Sequence, residues 1–115
     1  MKRLVFLAAL ASALHAFADE PNGPRSFKLI LPAGDVLEEC VLLKAGEKRA
    51  YSWKSDRPMD FNVHYHKDKK VAYPVKKDQV ASDDGTFAAT IAETYCWMWT
   101  AGKFPTRIEG KVAGP

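Results

Sequence analysis

Two histidines, His64 and His66, are the residues of this chain whose type and spacing suit work at a metal ion. At i and i+2 of a strand they leave the same face, so both imidazoles can approach one ion. Asp60 and Asn62 stand along the same row, and Met98 supplies a thioether from elsewhere. Imidazoles suit zinc or copper, and a thioether biases the set towards Cu(I). The competing reading is a solvent-facing strand whose polar residues include histidine.

Trp53, Trp97 and Trp99 form a second group, able to stack on sugars or peptides if exposed. Tyr95, Trp97 and Trp99 share one face of a strand, and a small core needs bulky fillers. Trp97 is therefore expected inside, and Trp53 and Trp99 are the platform candidates. Glu38-Glu39 and Asp83-Asp84 are carboxylate pairs adjacent in sequence. Neighbours on a strand point to opposite faces, so they make poor acid–base couples and read as rim charges. Serine, histidine and aspartate are all present, but no nucleophile elbow or oxyanion motif frames them. No enzyme is expected. No motif demands a cofactor, and copper or zinc enters only through the histidine pair.

The compartment follows from the N-terminus and the cysteines. Lys2 and Arg3 precede an apolar run from Leu4 to Leu14, and Ala16-Phe17-Ala18 has the small-x-small pattern of a cleavage site. Residues 1–18 read as a signal peptide cut after Ala18, too short to remain as a membrane anchor. Removing Lys2 and Arg3 from the seventeen Lys and Arg leaves fifteen against fourteen Asp and Glu, a mature net charge of +1. That balance gives no footing for nucleic-acid binding. Cys40 and Cys96 are an even pair in an exported chain, which favours one disulfide over free thiols or a thiolate metal site. The C-x-x-C spacing usual for thiolate sites is missing.

The elements that must position these residues are strands. Residues 19–26 read as a loose polar lead and 113–115 as a frayed tail. Between them Phe27 to Leu31, Cys40 to Leu43, Lys48 to Trp53, Met59 to His66 and Arg107 to Val112 show strand-like runs. Arg49, Tyr51 and Trp53 share one face, as do Phe61, Val63 and Tyr65. Ser55-Asp56-Arg57-Pro58 reads as a turn, Lys67 to Lys70 as a hairpin turn, and Pro74 as marking an edge or an end. Val75 to Ala81 is a weaker strand or loop. Asp84-Gly85 reads as a turn leading into a strand through Phe87, Ala89 and Ile91, followed by Tyr95 to Trp99. Phe61, Val63, Phe87, Ile91 and Trp97 are the expected core. Seven to eight short strands make the expected fold all-β, an antiparallel β-sandwich.

In order and spacing these pieces resemble the GOLD (Golgi dynamics) domain family. Glu38-Glu39-Cys40 resembles its acidic-then-Cys start, and Gly46-x-Lys48 its following turn. Asp60-Phe61-Asn62-Val63 resembles its D-x-x-V strand. Ser82 to Phe87 resembles its S-x-G-x-[YF]-x-F strand, and Glu93-Thr94-Tyr95 its G-x-Y before the second Cys. The resemblance spans residues 27–112. It departs from the family where Met98 takes the usual place of the second Cys, with Cys96 two residues earlier on the same strand face. The Asn that follows that Cys is absent. No coiled coil, spanning segment or coat-binding tail follows Pro115, so the cargo-receptor role is not expected to carry over. What the resemblance implies is a stand-alone, non-catalytic binding β-sandwich bridged by Cys40 and Cys96. The function expected is an exported module, periplasmic or secreted, that binds a protein or peptide through a sheet face or edge. The alternatives are a periplasmic copper or zinc module using His64, His66 and Met98, and a carbohydrate-binding module using Trp53 and Trp99.

Overall fold

The computed structural model describes residues 20–115. The expected signal peptide and its expected cut after Ala18 lie outside the described residues. Six strands follow one another: β1 Arg25–Leu31, β2 Val36–Leu43, β3 Lys48–Lys67, β4 Lys70–Ala88, β5 Glu93–Thr100 and β6 Thr106–Val112. All pairings are antiparallel and belong to a single sheet. The sheet is ordered β1-β6-β3-β5-β2, with β4 along the other edge of β3. Six strands in one curled sheet therefore replace the seven to eight expected of a sandwich.

The count fell because two turns were absorbed into long strands. Ser55 to Pro58 does not reverse the chain; it bulges β3 between the Lys54↔Ser82 and Met59↔Val80 pairs. Turn-forming residues suit a bulge equally well, because both need a local departure from extended geometry. Ser55 Oγ stands 2.7 Å from Arg57 O and 3.1 Å from Ala81 O, so its one proton is shared between two carbonyls across the bulge. Asp84-Gly85 likewise lies inside β4, opposite Ser52 and Tyr51. There the glycine serves close approach rather than a turn. A Cβ on Gly85 would meet the Tyr51 hydroxyl at 3.2 Å. Ala89 to Ala92 makes the link to β5, so Ile91 is half-buried in a bend instead of filling the core.

The Lys67–Lys70 hairpin is as expected, with Asp68 and Lys69 both left-handed (φ 52° and 61°) as a two-residue type I′ turn requires. Pro74 sits in β4, whose only partner among the described residues is β3, and edge strands tolerate a residue without N–H. Val75 to Ala81 is strand, interrupted by Gln79 at φ 55°.

Two ladders, β6-β1 and β5-β2, dock on the same side of β3, on either side of its bulge. β1 and β5 share no ladder, since β1 pairs only with β6 and β5 with β3 and β2 among the described residues. Yet the rings of Phe27 (β1) and Trp99 (β5) stand 4.6 Å apart, so the sheet curls and closes on its own apolar face. Trp53 and Phe61 complete the cluster around Trp99. Tyr51, Phe87, Tyr95 and Trp97 continue it. Phe61, Val63, Phe87 and Trp97 are buried as expected.

Residues 20–25 of the expected lead fold back on the sheet. Arg25, buried at the start of β1, donates to the carbonyls of Glu20, Gly23 and Cys40. Arg49 donates to Asn22 O, and Leu42 N donates to Pro21 O. The face that Arg49, Tyr51 and Trp53 share turns inward, and a guanidinium that turns inward must find acceptors, which the folded-back lead supplies.

Candidate functional site

β3 and β5 pair His64 with Cys96, and β5 and β2 pair Cys96 with Cys40, so the three form one row across three strands. Cys40 and Cys96 are joined in a disulfide, 56 residues apart in sequence. The next row of the same face carries Asn62, Met98 and Glu38. This is the face opposite Phe61 and Val63, yet His64 is only 4% exposed. Tyr73 covers it from β4, with ring centroids 5.9 Å apart, and His66 stands edge-on at 5.3 Å.

Both nitrogens of His64 face oxygen. Nδ1 lies 2.7 Å from Asn62 Oδ1, an acceptor, which assigns the ring proton to Nδ1 in the neutral imidazole. Nε2 then points its lone pair towards Glu38 Oε2, 3.6 Å away. Burial pushes His64 below the ordinary imidazole value; Glu38 pulls it back up, and His66 pushes it down again. Cys40 Sγ stands 3.4 Å from Glu38 Oε1. A disulfide sulfur carries no proton, so this is a sulfur–oxygen contact and not a hydrogen bond.

The expected metal set is therefore rearranged. Among the described residues the ligating groups that gather about one point are Glu38, His64 and Cys96, their donor atoms within 4.8 Å of one another. His66 lies outside that group, exposed beside His64. Met98 is half-buried one row away, opposite Asn62 and Glu38. Glu38 was legible only as a rim charge; nothing in a one-dimensional reading brings a residue of β2 against one of β3 across an intervening strand. The sugar platform is not formed. Trp53 and Trp99 are 4% and 1% exposed, packed edge to face with one another in the core, and offer no face to a ring.

A second region lies at one end of the sheet. Gly34 N in the β1–β2 turn donates to Gly102 O in the β5–β6 turn at 2.9 Å, tying the two turns together. Ile30 near the end of β1, Val36 at the start of β2 and Phe104 in the β5–β6 turn are 50–58% exposed. The Arg57 guanidinium, presented by the β3 bulge, sits 4.6 Å over the Phe104 ring. Beside them a shallow groove of about 530 Å³ runs along β1, β6 and β3. Lys28, Ile30, Lys54, Asp56, Arg107 and Glu109 line its charged and apolar walls. Glu109 is held by Lys54 at 2.9 Å and Lys28 at 3.9 Å, and Asp56 accepts from Arg107 N. Arg57 escaped the sequence reading because it was assigned to a turn, and Phe104 because it lies between strands, where no periodicity marks it.

No helix among the described residues is long and apolar enough to cross a membrane. No protein-family model matches the chain, and no curated protein matches it. Among solved structures the chain is similar to the crystal structure of Aeromonas hydrophila PliG, a periplasmic lysozyme inhibitor of g-type lysozyme. The TM-score is 0.46 at 13% identity, with 79% of this chain and 87% of that chain covered.

Proposed function

We propose that this chain is an exported, non-catalytic module that binds a protein partner through the end of the sheet where the β1–β2 and β5–β6 turns meet. The observation that carries this reading is that Ile30, Val36 and Phe104, on the strand ends and turn at that end of the sheet, all stand exposed, with Arg57 over the Phe104 ring and Arg107 opposite Ile30. Large apolar side chains left in water are costly unless a partner covers them, and an aromatic paired with arginine is the composition of interface centres. The groove beside Ile30 extends the surface with Lys28, Lys54 and Arg107 alongside Asp56 and Glu109, which favours a partner presenting an apolar patch fringed by charges of both signs. A disulfide in so small a domain supports a site of action in an oxidising compartment, periplasmic or secreted. The GOLD-like kinship belongs to the same proposal, supported by the bridge between its two cysteine-bearing strands.

A photo-crosslinking residue placed at Phe104 of the mature chain, and separately at Thr86 on the far part of β4, tests the surface against proteins of the exported fraction. The expected result is a discrete adduct from position 104, lost when Arg57→Ala and Ile30→Ser are added, and none from position 86. Adducts of equal yield from both positions would refute the assignment.

A further inference from the structure

We infer that reduction of the Cys40–Cys96 disulfide uncovers a zinc site made of Cys40, Cys96, His64 and Glu38 on the outer face of β2, β5 and β3. This site does not depend on the proposed partner surface, whose nearest residue, Val36, stands one row beyond Glu38 on β2. Three features of the folded chain carry the inference. The donor atoms of Glu38, His64 and Cys96 already converge within 4.8 Å, and the Cys40 sulfur is bonded to that of Cys96. His64 is oriented as a ligand: Asn62 Oδ1 holds its Nδ1 proton, leaving the Nε2 lone pair directed towards Glu38. That lone pair faces a carboxylate oxygen, an acceptor facing an acceptor at 3.6 Å, which a cation between them would reconcile. Ligand atoms of a tetrahedral zinc lie about 3.3–3.8 Å apart, so the His64–Glu38 separation already fits. Two thiolates, one imidazole and one carboxylate complete a four-coordinate set of the softness zinc accepts.

The chemistry closes with a dithiol as reductant. One of its thiolates attacks Cys40 Sγ, which is half-buried and the more accessible of the two sulfurs. The S–S bond breaks and Cys96 leaves as a thiolate beside His64. The reductant's second thiolate then attacks its own sulfur in the mixed disulfide, closing a cyclic disulfide and releasing Cys40. Two electrons pass from the dithiol to the protein, and its two protons end on Cys40 and Cys96. Zinc binding displaces both protons, and four ligand atoms from three neighbouring strands close on the metal.

The mature chain is reduced with dithiothreitol, freed of it under anaerobic conditions, and titrated with Zn²⁺ against a chromophoric chelator, with the oxidised chain in parallel. Near-ultraviolet circular dichroism follows the tryptophan core. One zinc per reduced chain is expected, bound about 100-fold or more tighter than by the oxidised chain, with native tryptophan signals. Co²⁺ in place of zinc should show thiolate-to-cobalt charge transfer with tetrahedral ligand-field bands. His64→Gln and Glu38→Gln should each weaken reduced-state binding about tenfold or more while leaving the oxidised chain folded. Equal zinc affinity of oxidised and reduced chains would overturn the inference. So would reduced His64→Gln and Glu38→Gln binding as tightly as wild type, which would mean a two-thiolate chelate. A reduced chain that is unfolded both with and without zinc would overturn it as well.

Discussion

His64 and Tyr51 show how one side chain's surroundings set its chemistry. Burial holds His64 below its ordinary value, so the folded chain binds fewer protons there than the unfolded chain as acid is added. Its contribution to stability is complete above the ordinary imidazole value near 6.5 and is lost as pH falls through the lowered folded value. Glu38 and His66, the ionisable groups that face it, are fixed in both arms of the test. The urea midpoint of wild type should drop between about pH 7.5 and about pH 5 by more than that of His64→Gln. An identical drop in the two proteins would place the acid sensitivity elsewhere. Tyr51 moves the other way. Burial and Asp83, whose Oδ2 accepts its hydroxyl proton at 3.2 Å, push its phenol up to about 12. Its share of stability is present below about 10, the ordinary phenol value, and is lost as pH rises towards the folded one. Phenolate absorbance should show a late phase that Tyr51→Phe removes, and a late phase that survives Tyr51→Phe would refute the assignment.

Among the elements, β6 depends on a residue with no side chain. Gly110 pairs with Phe27 on one side and Trp53 on the other, at the level where those rings close over Trp99. A Cβ there would stand 2.6 Å from Trp53 Cβ and 2.7 Å from Ser52 O. Neither is the far end of a flexible side chain, so the strands would have to part. Gly110→Ala should destabilise by about 1–3 kcal/mol, read from the urea midpoint, and an unchanged midpoint would show that β1 and β3 are not held this close. Strand existence was largely legible in the sequence: the alternation of Phe61, Val63 and Tyr65 against Asn62, His64 and His66 is β3 itself. Strand length was not. Ser55 to Pro58 and Asp84-Gly85 have turn chemistry, and only the partners beside them, β4 along β3 and Tyr51 over Gly85, make them bulge and strand. The outward register of His64 was legible too, but its burial was not, because Tyr73 and Glu38 arrive from strands β4 and β2.

For the molecule as a whole, a curled sheet of this size buries one aromatic cluster and closes it with one covalent tie. Cys40 and Cys96 lie opposite one another on β2 and β5, whose ladder meets β3 only beyond the bulge. Constraining a loop of 56 residues should stabilise the fold by about 4 kcal/mol in the chain-entropy model. A Cys40→Ala/Cys96→Ala chain should therefore lose about that much in urea titration, with a loss near zero meaning that the unfolded chain is already restricted there. Since small domains hold only about 5–15 kcal/mol in total, the tie is a large fraction of what keeps the sheet curled.

By itself the sequence determined the class, the bridge and the faces. Alternating apolar residues dictate strands, an even cysteine pair favours a disulfide, and period-two spacing decides which side chains share a side. Tertiary structure alone decided the destinations. Trp53 and Trp99 share their faces with core residues, yet only the curl that brings β1 against β5 sealed them from water. His66, adjacent in pattern to His64, was left outside, while Glu38, remote in sequence, was brought to His64 Nε2. The reason is physical: periodicity is a property of one strand, whereas strand order, bulge position and curl arise from pairings between residues far apart in the chain.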